Sequence, residues 1–314
     1  MILICGEALF DMFASDLAKD PVSFEAYAGG SPFNVAIGLA RLGEDVAFFG
    51  GISKDLLGEK LIGRLRCEGV ETGYVRRPDA LTTLSVVQKD ANGHPAYTFY
   101  GEGAADRIVT VADLPAEIRD LSILHVGSYS ALVEPVASAL KALITREKAS
   151  GLVAFDPNIR PTVVADLGRW RENTEEIAAL ADIIKVSDED LALIYPDRDP
   201  AETARHWLDL GAGLVVVTAG AGGATAFTHG HAVTVAGRTV AVIDTVGAGD
   251  TFQAALLSGL VARAVTTREA LEGLDHAALH EIVLKAVTAS ALTCTRQGAD
   301  LPSREDVNRF ENSC

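Results

Sequence analysis

The sequence has few cysteines and few basic residues, and each shortage excludes a class of protein. Its 314 residues include four cysteines, and none stands in a Cys-x-x-Cys spacing, which argues against a disulfide framework or a cysteine zinc site. Lysine and arginine total 27 against 43 acidic residues, which gives a formal charge of −16. Such a chain is not expected to bind nucleic acid or an anionic membrane surface.

The sequence also lacks signals for export, for membrane insertion and for two common nucleotide-binding folds. No run of 18 apolar residues occurs and no basic segment precedes the first apolar run, so neither a membrane span nor a signal peptide is expected, and the expected compartment is the cytoplasm. No G-x-x-x-x-G-K-[ST] string is present, and Thr225 stands where a dinucleotide fingerprint beginning at Gly220 would need glycine. P-loop and Rossmann dehydrogenase readings are therefore excluded.

What the sequence does contain is an alternation of short apolar runs with helix-like stretches. Hydrophobic residues make up 48% of the chain, and the alternation predicts an α/β fold with a parallel sheet covered on both faces. Ser31 and Pro32 suit the N-cap and first position of a helix that ends before Gly43. The predicted strands are residues 2–5, 123–126, 152–155, 183–186 and 214–218.

Two stretches break this alternation, near residues 12–28 and 74–102. In the second, strand-like residues 84–88 and 96–100 flank Asn92-Gly93, which is a hairpin signal. No linker separates either stretch from the rest, so a single domain over residues 1–314 is expected.

The most informative segment is residues 244–252, Asp-Thr-Val-Gly-Ala-Gly-Asp-Thr-Phe. Residues 240–243 before it are predicted to form a strand, and apolar residues at helical spacing follow it. Backbone amides of Gly247, Ala248 and Gly249 at a helix N-terminus can form a cradle for a phosphate. Asp250 is then placed to accept the proton of an attacking hydroxyl.

This segment resembles the C-terminal signature of the PfkB (ribokinase-like) carbohydrate kinases. Residues 29–36, Gly-Gly-Ser-Pro-Phe-Asn-Val-Ala, followed by Gly-Leu-Ala-Arg-Leu-Gly at 38–43, resemble the N-terminal signature, and the resemblance runs over essentially the whole chain. It implies a three-layer α/β/α sandwich with a mainly parallel central sheet. It also implies a small β lid, formed by residues of about 12–28 and 74–102, and transfer of phosphate from ATP to a sugar hydroxyl.

The resemblance also implies a sugar site. Asp11, Gly30 and Asn34 match family positions that contact sugar hydroxyls, and residues 155–161, which include Asn158 and Arg160, are similar to a stretch of the bacterial fructokinases. Read without the family, Asp11 is a loop acid, Asn34 an exposed helix residue and Arg160 a surface arginine. Fructose is the expected substrate within this family.

Nucleotide and metal sites are implied in the same way. Thr218, Gly220 and Gly223 match the family's Thr-x-Gly-x-x-Gly nucleotide loop, which Gly249 would complete beside the phosphates. Residues 185–190 occupy the place of the family's Asn-x-x-Glu motif, so Lys185 and Ser187 are assigned to the nucleotide and Asp190 to magnesium through water. The shorter acid weakens that last assignment, and Glu189 could compete for it.

A monovalent cation, expected to be potassium, is implied beside the anion cradle. In the family, carbonyl groups of the segment that corresponds to residues 294–300 hold it together with carbonyls near Asp244 and Val246, and Gly298 lies in that segment. A lid sheet with one uncovered face commonly pairs with a second subunit, so a homodimer through the lid is expected.

The sequence is also compatible with other functions. A 2-keto-3-deoxygluconate kinase would need a cation for the carboxylate, and in that subgroup an arginine commonly follows the lid tyrosine. Here Gly101 follows Tyr100, which favours a neutral sugar, although Arg107 or Arg160 could substitute. Other sugar or nucleoside kinases are further alternatives, and a sugar-binding regulator that has lost catalysis is the non-enzyme alternative.

Overall fold

An eight-stranded sheet forms the centre of the protein. The computed structural model describes residues 1–14, 20–89 and 95–311. The sheet's strands, in chain order, are β1 (Ile2–Cys5), β4 (Val46–Phe49), β7 (Ile123–Gly127), β8 (Leu152–Asp156), β9 (Ile183–Ser187), β10 (Leu214–Thr218), β11 (Ala224–Phe227) and β12 (Ala232–Val235). Their spatial order is β12-β11-β10-β9-β8-β7-β1-β4. Six neighbouring strands run parallel to one another: β4, β1, β7, β8, β9 and β10. β11 pairs antiparallel with β10, and β12 pairs antiparallel with β11.

Ten α-helices are found in the described part of the chain. They are α1 (Ser31–Arg41), α2 (Leu56–Cys67), α3 (Val136–Glu147), α4 (Leu167–Ala178), α5 (Asp188–Ile194), α6 (Pro200–Leu210), α7 (Ala248–Val261), α8 (Arg268–Glu272), α9 (His276–Cys294) and α10 (Arg304–Glu311). One apolar cluster joins one face of the sheet to α1, α2, α7 and α9. A second joins the other face to α3, α4 and α6, with Trp170 and Trp207 fully buried. This is the expected three-layer sandwich.

A second sheet, here called the lid sheet, consists of β2 (Leu9–Ala14), β3 (Phe24–Gly29), β5 (Leu84–Lys89) and β6 (Pro95–Tyr100). Its order is β3-β2-β5-β6. β5 and β6 pair antiparallel, with Leu84 opposite Tyr100, as the sequence predicts; Asn92-Gly93 lies outside the described residues. The sheet is continuous with the body because only Gly6 to Ala8 separate β1 from β2.

All five strands predicted for the central sheet are present, but the strand predicted at 240–243 is wrong. These residues pair with no strand of either sheet, and Val242 and Ile243 are exposed. The amide of Ile243 donates to the carbonyl of Cys294 at the end of α9 at 2.8 Å. The short apolar run at 240–243 therefore belongs to a surface connection whose backbone is hydrogen-bonded to the C-terminal end of α9.

The start of α1 also differs from expectation. Gly30, with φ of 104°, occupies the N-cap, so Ser31 is already inside the first turn and Pro32 follows it. Ser31 therefore does not cap the helix. Its hydroxyl is directed to the site described below.

Helix α9 is, by length and composition, apolar enough to cross a membrane, and it is the one helix of the described residues that passes that test. In the structure it packs along α7, and its buried residues Leu279, Ile282 and Val283 belong to the cluster on that face of the sheet. It is a core helix of the sandwich.

Candidate active site

The N-terminus of α7 is the centre of the site. Gly247 caps the helix with φ of 78°, and a Cβ there would lie 2.8 Å from the Cβ of Ala299, so both the backbone conformation and the space require glycine. The amide of Ala248, predicted to be part of the anion cradle, instead donates to the carbonyl of Thr245 at 3.2 Å. Within the described residues, the amides of Gly247, Gly249 and Asp250 have no protein acceptor. Three N–H groups are thus available to an anion at the positive end of the helix.

Asp250 is held by two side chains of α1. Its Oδ1 accepts a hydrogen bond from the Ser31 hydroxyl at 2.6 Å, and its Oδ2 accepts one from the Asn34 amide at 2.8 Å. The residue is 9% exposed. Burial raises the pKa of Asp250, whereas the bonds from Ser31 and Asn34 lower it. The carboxylate is therefore fixed in place while its basicity is increased.

A buried ion pair lies beside Asp250. The Lys185 Nζ is 2.9 Å from Asp156 Oδ2, and their side chains are 5% and 1% exposed. Burial lowers the pKa of Lys185, but the charges of Asp156, Asp190 and Asp250 outweigh it, so the pKa is raised overall. A Cβ on Gly249 would lie 3.2 Å from Nζ. A permanent positive charge thus lies directly under the anion cradle.

Asp190 closes this group from the other side. Ser187 caps α5 by accepting a hydrogen bond from the Asp190 amide at 3.0 Å, and Asp190 Oδ1 accepts one from the Ile159 amide at 3.2 Å. Asp190 is buried, while Glu189 is exposed on the outer side of the same turn. We refer to Asp156, Lys185, Asp190 and Asp250 as the catalytic floor.

The predicted sugar residues lie around this floor. Burial raises the pKa of Asp11 on β2; the charge of Arg160 lowers it and that of Asp250 raises it, so all three groups lie within electrostatic range. A Cβ on Gly30 would lie 2.8 Å from the carbonyl of Glu7, which only glycine avoids. Asn158, at φ of 38°, turns the chain after β8 toward Arg160.

Without the family resemblance, Asn34 was expected to be an exposed helix residue. It is instead buried and donates a hydrogen bond to Asp250. Arg160 does have an exposed side chain, but its charge also lowers the pKa of Asp190. Arg160 therefore lies within electrostatic range of both Asp11 and Asp190.

The predicted nucleotide residues meet where two neighbouring strands end. Thr218 on β10 pairs in register with Ser187 on β9. Gly220 and Gly223 have φ of 48° and 96° in the turn that follows. A Cβ on Gly223 would lie 2.1 Å from the carbonyl of Val235. The structure brings Ser187, Thr218 and the glycine turn to the same edge as Lys185.

The two segments predicted to hold a monovalent cation are joined by one carboxylate. Asp244 Oδ1 accepts from the Val246 amide at 3.1 Å, and Oδ2 accepts from the Gly298 amide at 2.9 Å. Their proximity to α7 follows from Gly247, which abuts Ala299. Among the residues the structure describes, no group of three His, Cys, Asp or Glu side chains is arranged to hold a metal ion.

Sequence reasoning missed several groups of the site. Ser31 was assigned to capping, and Asp156 was not singled out although it ends a parallel strand, where ligand-binding residues collect. His125 and Gln253, both buried, lie 3.3 Å apart, and His125 is within electrostatic range of Asp156 and Lys185. Glu7 is buried beneath Gly30, and burial raises its pKa to about 7 although bonds from Ser130 and Ser128 lower it. For Glu7, the signal available in the sequence was a charged residue inside an otherwise apolar run.

Comparison with known proteins gives a consistent result over the whole chain. Residues 1–306 match the family model described as pfkB family carbohydrate kinase. A curated fructokinase of Rhizobium leguminosarum bv. trifolii is 42% identical over 282 residues, which cover 89% of this chain and 85% of that protein.

Two solved structures are similar throughout. A fructokinase from Xylella fastidiosa with bound ATP is 30% identical, with a TM-score of 0.90, and the match covers 99% of this chain and 98% of that one. A fructokinase from Vibrio cholerae O395 in a form with fructose, ADP and calcium ion is also 30% identical, with a TM-score of 0.84 and 98% coverage of both chains.

Proposed function

This chain belongs to the pfkB family of carbohydrate kinases, and on that basis we propose that it is an ATP-dependent fructokinase, which converts D-fructose and ATP to D-fructose 6-phosphate and ADP. The observation that carries the proposal is the position of Asp250. Its carboxylate lies in the first turn of α7, next to free helix amides and above Lys185. A base and an anion site at one point are what transfer of phosphate to a hydroxyl requires.

In this mechanism Asp250 accepts the proton of the fructose 6-hydroxyl as that oxygen attacks the γ-phosphate. Ser31 and Asn34 hold the carboxylate in position through both of its oxygens. Charge that develops on the transferred phosphate is stabilised by the amides of Gly247, Gly249 and Asp250 and by the Lys185 ammonium. Because these donors are in place before reaction, little reorganisation is needed.

Asp11, Gly30, Asn34, Asn158 and Arg160 would bind the sugar. Asp11 lies on the lid sheet but within electrostatic range of Asp250 and Arg160, so one sugar molecule could contact all three. We expect the lid sheet, over residues of about 12–28 and 74–102, to cover the bound sugar and exclude water. The base and the anion site are both intact, which does not favour a regulator without catalytic activity.

The nucleotide would bind at the edge formed by Ser187, Thr218, Gly220 and Gly223, with its phosphates directed to Gly249. Asp190 fits an indirect magnesium role, because its buried carboxylate keeps acceptor capacity beyond its bonds to the Ile159 amide and the Ser187 side chain. Magnesium, when bound, neutralises charge on the nucleotide phosphates. The segments joined by Asp244 fit potassium, a hard cation that carbonyl oxygens such as those near Val246 and Gly298 can bind.

The first experiment is an ADP-release assay with Mg²⁺, K⁺ and ATP against fructose, 2-keto-3-deoxygluconate, ribose, tagatose and adenosine. Selective turnover of fructose is the expected result. Turnover of the keto acid alone would retain the kinase mechanism and overturn the substrate, and the absence of turnover with all five would overturn the fructokinase proposal. Replacing K⁺ with Na⁺ in the same assay should lower the rate.

We also propose a homodimer through the lid sheet of a cytoplasmic enzyme. The register places Phe24 and Tyr100 on the face of this sheet opposite Asp11, and they are 43% and 62% exposed. Exposed aromatic residues on an open sheet face favour pairing with a second copy. Light scattering at micromolar concentration should give twice the 33.0 kDa chain mass. Tyr100→Asp should reduce it toward the monomer.

A further inference from the structure

Gln253 and His125 form a fully buried polar pair between α7 and the central sheet. Their exposed fractions are 0% and 1%, and the side-chain amide nitrogen of Gln253 lies 3.3 Å from Nδ1 of His125. Burial lowers the pKa of His125 to about 4, although the charge of Asp156 raises it, so the ring is neutral at physiological pH. Because an amide nitrogen can only donate, Nδ1 is the acceptor of this hydrogen bond.

His125 lies on the same face of the sheet as the ion pair of the catalytic floor. It stands opposite Ala154 in the parallel pairing of β7 and β8. Asp156 follows Ala154 by two residues, so strand alternation directs His125 and Asp156 to one face. The charges of Asp156 and Lys185 both act on His125. The histidine is therefore one step along the strands from the Lys185–Asp156 pair.

Gln253 links this part of the sheet to the helix that carries Asp250. It follows Asp250 by three residues, which is the spacing of neighbouring side chains on one helix face. The other side-chain hydrogen bonds near the start of α7 lead to neighbouring helices, to α1 from Asp250 and to α9 from Thr251. Within the described part of the chain, the bond to His125 is the one side-chain hydrogen bond between α7 and the central sheet.

The pair is not explained by stability. Gln253 Oε1 is buried without a hydrogen-bond partner, and such an acceptor destabilises the folded state. The surroundings are apolar, since Ala154, Phe252 and Leu256 belong to the cluster on this face of the sheet. Two apolar side chains of similar size would fill the space without that cost. What the hydrogen bond adds is direction, because apolar packing alone specifies the rotation and height of a helix less strictly.

We propose that Gln253 and His125 are positioning residues, which hold the first turns of α7 where Asp250 and the free helix amides face the Lys185 ammonium. The proposal rests on the phosphoryl transfer proposed above. The amides belong to the helix and the ammonium to the sheet, and they stabilise one transferred phosphate only if the two elements keep a fixed relation. Neither Gln253 nor His125 touches the substrate, so their loss should affect the reaction step and leave binding unchanged.

The test replaces both partners with apolar side chains of similar size, Gln253→Met together with His125→Leu, and compares this double variant with each single variant. No unpaired group remains in the double variant, so its melting temperature should equal or exceed that of wild type. Its kcat should nevertheless fall about tenfold to a hundredfold, as expected for a small displacement of reacting groups, with KM for fructose and ATP within threefold. Because both residues act through one bond, each single variant should lower kcat as much as the double variant.

A conservative variant and a matched control separate positioning from packing. In His125→Asn, the side-chain oxygen can accept the Gln253 bond in place of Nδ1, so this variant should restore most of the kcat lost in His125→Leu. Thr288→Val on α9 is the control, because Thr288 is equally buried and its hydroxyl donates within its own helix to the carbonyl of Leu284. Its kcat should stay within twofold of wild type.

Three results would overturn the proposal alone. They are a double variant with kcat within twofold of wild type, a rise in KM for fructose at unchanged kcat, and a kcat that follows the melting temperature through all the variants. The first would remove the pair from the reaction, the second would assign it to binding and the third to folding.

Failure of the underlying function gives a different result. Absence of wild-type turnover with every acceptor of the panel would overturn the kinase function and this proposal together. Wild-type turnover of another sugar of the panel would overturn fructose as the substrate, and the same comparison of variants with that sugar would still decide the role of the pair.

Discussion

The catalytic floor and the lid sheet differ in how their polar groups are satisfied. In the floor, both oxygens of Asp250 accept hydrogen bonds and Lys185 pairs with Asp156, all of it inside the body of the protein. On the lid side, Arg107 holds two buried donors without a partner, and aromatic side chains are exposed on the opposite face. The side chains of the floor pair with one another or with neighbouring protein groups, whereas the lid side retains buried donors without a protein partner.

This difference corresponds to two tasks. A base and an anion site accelerate transfer only if their charges are oriented before the reaction, so the cost of burying them is met during folding. Recognition depends on groups whose best partner is the ligand itself, so that a wrong ligand leaves them unpaired. Variants in the floor should therefore change kcat or stability, and variants of the lid should change KM and selectivity.

The largest effect is expected from Asp250→Asn. The amide can keep the bond from Ser31 at its oxygen but cannot accept the substrate proton, so kcat should fall by a factor of about 10² to 10⁴, with KM for fructose and ATP changed by less than threefold. Steady-state kinetics measure both. Asp79→Asn, at an exposed position, is the control. Turnover within tenfold of wild type would remove Asp250 as the base.

Lys185→Met tests whether the floor depends on its ion pair. Removing one partner leaves Asp156 charged and buried, which should lower the free energy of unfolding by about 3 to 5 kcal/mol. Lys141→Met breaks the more exposed pair with Glu176 and should cost about 1 kcal/mol or less. Urea unfolding gives both values. Equal losses in the two variants would show that the buried pair has no special weight.

Glu7→Gln tests how the buried carboxyl between β1 and β2, where the lid sheet joins the central sheet, changes stability with pH. Burial raises the pKa of Glu7 from 4.5 to about 7, so between these values the unfolded chain releases a proton that the folded chain retains. Stability should fall as pH rises through this window, by about 3 kcal/mol from this group. Urea unfolding at pH 5 and pH 7.5 measures the decline in the free energy of unfolding. Glu7→Gln should lack the part due to Glu7, whereas Glu202→Gln, at an exposed position, should follow wild type. A parallel decline in Glu7→Gln would exclude Glu7 as its source.

Ser31→Ala gives the smallest effect and refines the account of Asp250. Asp250 must be deprotonated to act, so kcat/KM should fall as pH falls through its raised pKa. Loss of the Ser31 bond removes an interaction that lowers this pKa, and the acid limb should move to higher pH. The control is Ser258→Ala. Ser258 lies on α7, as Asp250 does, and its hydroxyl donates to Glu44. A limb that stays in place would mean that another group titrates.

The course of the chain was largely predictable from sequence, because apolar periodicity and glycine positions are local properties. All five central strands, the pair β5 and β6 and the helix that begins at residue 248 were predicted in this way. The error at residues 240–243 has the same origin. A short apolar run rich in valine and isoleucine favours a strand, but whether a neighbouring strand is available is decided by the rest of the fold.

The partners of the site residues could not be predicted in the same way. Ser31 looked like a helix cap, and it became a donor to Asp250 only because α1 and α7 lie side by side. Asp156 and Lys185 are 29 residues apart and meet because β8 and β9 are adjacent. Arg107 was one of two arginines that could replace a missing lid arginine, and no pattern placed it against Gly101.

The sequence by itself determined five strands of the central sheet, where glycine must stand at the start of α7, and which chemical groups reach the carboxyl ends of those strands. Only the tertiary structure decided which charges are buried together, which donors remain free and which face of the lid sheet meets the floor. The reason is that periodicity and backbone conformation depend on neighbours in the chain. Burial, pKa and hydrogen-bond partners depend on neighbours in space, which packing alone brings together.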